Sequence, residues 1–129
     1  MNLDHDRETR HGRVPCPTTD VPFAALLAGD EIEIETEGGS HYRFVLCGAG
    51  SPGPCGALVR RPGPSDWTAT AIGTIDPDSG MLELGTFALG RRALFAVLRP
   101  RDESEGGFEL LLTSRVIRLL HRTSARPWP

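Results

Sequence analysis

Asp30-Glu-Ile-Glu-Ile-Glu-Thr-Glu37, Gly38-Gly39-Ser40 and His41-Tyr-Arg-Phe-Val-Leu-Cys47 form the stretch on which the fold turns. Ile32, Ile34 and Thr36 alternate with Glu31, Glu33, Glu35 and Glu37, the pattern of a strand with one face buried and the other in water. Tyr42, Phe44 and Leu46 alternate in the same way in the second run. The glycine pair between the runs supplies the backbone freedom that a tight hairpin needs. A two-residue loop at Gly38-Gly39 would set Ile34 opposite Arg43 and Glu33 opposite Phe44. Residues opposite each other share a face, so both faces would be mixed. A three-residue loop of Gly38, Gly39 and Ser40 instead pairs Ile34 with Phe44 and Thr36 with Tyr42 inside, and Glu35 with Arg43 and Glu37 with His41 outside. Residues 31–37 and 41–47 are therefore expected to pair antiparallel, with Ile32, Ile34, Tyr42, Phe44 and Leu46 buried.

Outward from this hairpin the chain repeats short β-prone runs and turns. Phe23–Ala28 is apolar, is closed by Gly29-Asp30, and allows at most one helical turn before the first strand. Beyond Cys47, Gly48–Gly56 and Arg61–Asp66 read as loops around a short strand at Ala57–Arg60. Trp67–Ile75 is Thr-rich and β-prone, Asp76-Pro-Asp-Ser-Gly80 is a turn by composition, and Met81–Leu89 resumes with Leu82 and Leu84 around Glu83. Arg92–Arg99 reads as a mostly buried strand, Pro100–Gly107 as a charged loop and Phe108–Thr113 as another strand. Ser114–His121 fits either element, since Arg115, Arg118 and Arg122 recur at helical spacing while Val116, Ile117, Leu119 and Leu120 serve a final strand equally well; the strand is preferred. The expectation is an all-β fold, a single small barrel or roll of six to seven mainly antiparallel strands, SH3-like in size. It occupies residues 23–121, between a loose N-terminal arm (1–22) and a flexible tail (122–129).

Composition agrees with one such domain. The chain has 129 residues, 39% of them hydrophobic, enough for a small core. A formal charge of -3 offers no global attraction to nucleic acid or to an anionic membrane. All 14 basic side chains are Arg. Together with the absence of Gln and the wealth of Ala, Gly and Pro, that is the mark of a GC-rich gene rather than of Arg chosen site by site for bidentate contacts. The charged opening residues carry no secretory signal and no run is long enough to span a membrane, so a cytoplasmic protein is expected.

Two opposite charge blocks are the candidate interaction surface. Glu31, Glu33, Glu35 and Glu37 line one strand face, within reach of a cation or a basic partner, while Arg115, Arg118, Arg122 and Arg126 follow one another near the C-terminus with no acid among them. The two blocks are expected to be complementary, within one chain or between two. A nucleic-acid site would interleave exposed aromatics with such charge, and only Trp128 is near. Zinc is not expected: His5, His11 and Cys16 lie in the arm, and seven residues separate Cys47 from Cys55 where paired ligands usually keep about two to four. The three cysteines read as reduced thiols. No nucleophile elbow, phosphate loop or paired acid and base points to an enzyme, and no cofactor is implied.

Two resemblances complete the reading. Arg10-His-Gly-Arg13-Val-Pro-Cys16 resembles the opening of PilZ domains, bacterial barrels that bind cyclic di-GMP through an N-terminal RxxxR and a later [D/N]xSxxG. The arginines here stand one residue closer, and Asp76–Gly80 departs from the second motif. More of the chain, roughly residues 26–119, is similar to short uncharacterised bacterial β-barrel proteins of high-GC genomes. It shares Leu26-x-x-Gly29-Asp30, Ile34-Glu-Thr36, Tyr42-Arg-Phe44, Gly85-Thr-Phe-Ala-Leu-Gly90 and Thr113-Ser114-x-Val116-x-x-Leu119. That resemblance implies a compact barrel and no particular site. The expected function is a non-catalytic binding or self-assembly domain, with a protein partner or a second copy of itself; a ligand-, nucleotide- or nucleic-acid-binding barrel is the alternative. Purified protein is expected to hold no stoichiometric zinc and to keep its melting temperature under chelation, and elemental analysis near one zinc per chain would contradict this.

Overall fold

The computed structural model describes residues 16–50, 53–63, 65–98 and 107–124. The deciding hairpin is present as β3 (Glu31–Thr36) and β4 (His41–Gly48). Ile32, Ile34 and Phe44 are completely buried, and Tyr42 and Leu46 nearly so. The register differs from the expected one by two residues: Ile32 pairs with Phe44, Ile34 with Tyr42 and Glu35 with His41. The loop keeps three residues but they are Glu37, Gly38 and Gly39, because the Thr36 amide donates to the Ser40 carbonyl at 3.0 Å. A slip of two preserves which face each side chain takes, so the buried set is unaffected. Gly39, at φ +94°, supplies the left-handed residue.

The chain then folds back and forth. After β1 (Cys16–Pro17), β2 (Asp20–Pro22) and a 3-10 turn at Phe23–Ala25 come β3 and β4, then β5 (Cys55–Arg61), β6 (Ser65–Ile75), β7 (Leu82–Leu84), β8 (Thr86–Ala88), β9 (Arg92–Leu98) and β10 (Phe108–Arg122). Neighbours β3, β4, β5, β6, β9 and β10 pair antiparallel in that order, and β10 returns to β3. Six strands thus close a ring within a small all-β domain. The four short strands lie outside it, which is how the expected six to seven strands become ten among the described residues. Cys55 and Gly56, and Arg61, Ser65 and Asp66, read as loop, are strand ends.

Closure depends on one long strand changing partners. Residues 108–115 of β10 pair with β9 and residues 116–122 pair with β3, with irregularities at Leu112/Arg115 and Val116/Arg118. At the first, Thr113 turns its hydroxyl inward to accept the Ala93 amide at 2.9 Å. The Arg92 Nε donates to the Thr113 carbonyl at 2.8 Å. Side chains thus replace ladder bonds that the bulge interrupts. Ser114–His121 is strand, continuous with Phe108–Thr113.

Inside the ring an aromatic chain runs from Phe44 to Phe95, 5.3 Å between centroids, on to Phe87 at 5.2 Å and to Phe23 at 4.9 Å. Phe87 belongs to β8, which pairs with β2, so this small ribbon plugs one end of the ring with Phe87 and Val21. Residues 16–22, expected to belong to a loose arm, are therefore fixed: β1 pairs with the end of β10 and Val21 is buried. The expected boundary at residue 122 also shifts, since Arg122 lies in β10 and the Ser124 amide is bonded. Residues 1–15 and 125–129 of arm and tail lie outside the described residues.

The Asp76–Gly80 turn forms as expected, with the Gly80 amide on the Asp76 carbonyl at 2.8 Å. The Asp78 amide bonded to its side chain holds the Asp76 carboxyl below the usual carboxylate range. A carboxylate depressed by folding stabilises above its unfolded pKa and loses that contribution as the pH falls through the folded value. This turn therefore loosens on acidification.

Asp30, next in sequence to the acidic strand face, is buried at 2% exposure. Its carboxylate accepts the Leu27 amide at 3.2 Å, the Ser124 amide at 3.0 Å and the His121 Nε2 at 3.1 Å. It thus fastens the entry to β3 onto the end of β10. Truncation of Phe44 to alanine is expected to cost about 2–5 kcal/mol in denaturant unfolding. Asp30→Ala leaves two amides without their acceptor and is expected to cost about 1–3 kcal/mol, with Asp30→Asn recovering part of the loss.

Candidate functional site

The expected acidic and basic blocks meet within one chain, on the outer face of β5, β4, β3 and β10. Register sets Glu35 between His41 and Arg118, Glu33 between Arg43 and Leu120, and Glu31 between Val45 and Arg122. Side chains then lean along the diagonal. Arg43 reaches past Glu33 to Glu31, donating from Nε and Nη2 to both carboxylate oxygens at 3.0 Å. His41 reaches past Glu35 to Glu33 at 3.3 Å, and Arg118 meets Glu35 straight across at 3.1 Å. The two hydrogen bonds to Glu31 raise the Arg43 guanidinium above its ordinary pKa, the nearby carboxylate charge adding to them. Arg43 therefore meets Glu31 rather than the expected Glu35.

Arg122 arrives at Glu31 from the other side and finds both carboxylate oxygens engaged. Its Nε is buried without a hydrogen-bond partner. Among the described residues neither Arg122 nor Arg61 has a carboxylate in ion-pairing distance. These two, with Glu31, Glu33, His41, Arg43 and Val59, line a cleft of about 380 Å3. Glu37 is exposed in the hairpin turn, its amide on the Arg115 carbonyl at 2.8 Å, and Arg115 is exposed. Arg126 lies outside the described residues.

A second surface was not singled out from sequence. Val97 and Phe95 of β9 are buried, so the alternate residues Leu98 and Ala96 point outward, opposite Phe108 and Leu110 of β10. Leu98 is 53%, Phe108 62% and Leu110 64% exposed. The face continues through Leu94, paired with Gly73 of β6, to Leu84 and Leu82 of β7. A Cβ on Gly73 would strike the backbone of Glu83 and Leu84, so glycine there lets β7 lie close. Leu94 is buried yet is not part of the core cluster. Thr68 and Thr70 border the face on β6, and its centre carries no charge.

The remaining candidates are placed as follows. Cys16 sits opposite His121, Cys47 is exposed and Cys55 is half-buried. No group of three or more His, Cys, Asp and Glu among the described residues is arranged to hold a metal ion. His41, expected opposite Glu37, faces the Glu33 carboxylate instead, and His121 faces that of Asp30. Arg10 and Arg13, His5, His11 and Trp128 lie outside the described residues. No helix among those described is long and apolar enough to cross a membrane.

A second groove, of about 390 Å3, at the plugged end is lined by Phe23, Leu26, Leu27, Leu46 and the small residues of the β4–β5 loop. Comparison of the chain with protein-family models, with curated proteins and with solved structures finds no match.

The Arg118–Glu35 pair on the outer face is half exposed, with Arg118 at 56% and Glu35 at 39%. Arg118→Ala is therefore expected to lower stability by only about 0–1 kcal/mol in denaturant unfolding, an effect that shrinks further as salt is added.

Proposed function

We propose that the domain is a non-catalytic, cytoplasmic self-assembly module of bacterial origin that pairs with a second copy of itself through the outer face of β7, β6, β9 and β10. The supporting observation is the row of Leu84, Leu98, Phe108 and Leu110, each more than half exposed on one face. Contiguous apolar exposure of this kind marks contact surfaces. Other routes to association are already occupied inside the chain. Strands β3, β4, β5 and β9 are paired on both edges and offer none for completion by a partner, and the edge that residues 108–113 of β10 leave without a strand among the described residues adjoins the proposed face. The acidic block is likewise engaged by Arg43, His41 and Arg118.

The absence of charge at the centre of the face favours a second copy over a different partner. A two-fold contact brings each patch against its own duplicate, which a charged patch resists and an uncharged apolar one accepts. Flanking charges would set orientation more than affinity. Light scattering coupled to size exclusion is expected to give a dimer whose mass persists at high salt, because apolar burial rather than ion pairing holds it. The double variant Phe108→Ser, Leu110→Ser is expected to be a monomer with its melting temperature retained. A wild-type monomer at high protein concentration, or a dimer untouched by the double variant, would overturn the proposal.

A further inference from the structure

Charge in the cleft over β3, β4 and β5 does not balance. Two carboxylates face three guanidiniums there. Both carboxylates are engaged, Glu31 by the two-pronged contact with Arg43 and Glu33 by His41. What remains unmatched is cationic: Arg61 on β5 and Arg122 on β10, the latter with a buried Nε that donates to nothing. A buried donor without an acceptor is costly, and a guanidinium fork is shaped to receive an oxyanion.

Geometry restricts the kind of anion. β5 and β10 are separated by β4 and β3. At a strand spacing of about 4.8 Å their backbones stand roughly 14 Å apart. Arg61 is level with Glu35 whereas Arg122 is level with Glu31, so the two residues lie on a diagonal with about 20 Å between their Cα atoms, and their long side chains must converge over the cleft. A lone phosphate cannot serve both arginines as an elongated ligand can. Glu31 is neutralised by Arg43 and Glu33 is held by its contact with His41, so a corridor is left across Val59. From this we infer that the cleft binds an extended oxyanion of the oligophosphate class, with one end on Arg61 and the other on Arg122. This site lies on a different face from the proposed self-association surface and does not depend on it.

Calorimetric titration of the full chain at constant ionic strength tests the site, with tripolyphosphate, pyrophosphate and inorganic phosphate as probes. Saturable binding of tripolyphosphate is expected, tighter than that of inorganic phosphate. Arg61→Gln and Arg122→Gln should each weaken it by about tenfold, the loss of one charge-assisted contact. Arg115→Gln, exposed and outside the cleft, should leave it unchanged. Melting temperatures report whether each variant is folded; Arg61, at an exposed strand end, keeps the test valid should Arg122→Gln unfold. Repeating the titration on the Phe108→Ser, Leu110→Ser variant separates this site from self-association. No saturable binding, equal affinity for inorganic phosphate and tripolyphosphate, or unchanged binding by folded Arg61→Gln would overturn the inference.

Discussion

Hydrogen bonding on both sides of β3 is the constraint on which the rest of the molecule depends. One side is supplied locally by β4 across a three-residue loop. The other must come from the end of the chain, and β10 can supply it only by leaving β9 halfway along its length. Thr113 and Arg92 stabilise that departure from inside the bulge, and Asp30 fastens its far end by taking the amides of Leu27 and Ser124 together with His121. With the seam closed, the ring has an interior for the Phe44, Phe95 and Phe87 chain, and the β2–β8 ribbon has an opening to plug.

Closing the seam also determines what the surface can offer. It brings the Arg-rich end of the chain beside the acidic strand, where Arg118 pairs with Glu35 at little net gain because that pair is half exposed. Arg43 and Arg122 compete for Glu31, and the winner leaves Arg122 and Arg61 as the cleft's surplus. On the far side the same curvature turns alternate residues of β9 and the first half of β10 outward, where Leu98, Phe108 and Leu110 have no cover. Apolar contact and anion recognition therefore fall on different faces of one ring.

Local patterns were legible wherever one face is buried along the whole strand. The alternation in Glu31–Thr36 and in His41–Leu46 assigned every buried residue of the hairpin, because sidedness survives a slip of two. The register itself was not legible. The loop is held from outside the hairpin, by the Ser114 hydroxyl on the Gly38 amide and by the Arg115 carbonyl on the Glu37 amide. Two bulges in β10 place Thr113, Val116 and Leu119 inside at spacings of three, which imitates helical periodicity and explains the ambiguity of Ser114–His121. Asp30 resembled its glutamate neighbours because the groups that bury it, His121 and Ser124, are 91 and 94 residues away. Arg61 escaped notice because the stretch after Arg60 reads as a breaker-rich loop, and the outer apolar face because Leu98 and Phe108 flank a charged connection.

Native-state hydrogen exchange addresses the closed seam most directly. Amides of Ile32–Thr36 and Val116–Arg122 should exchange as slowly as those of β4 and β5, and all should open together in one cooperative event, since a ring loses its core when any seam parts. Fast exchange along Val116–Arg122 with protection retained in β4 and β5 would contradict the account, because it would mean that the sheet stands open between its first and last long strands.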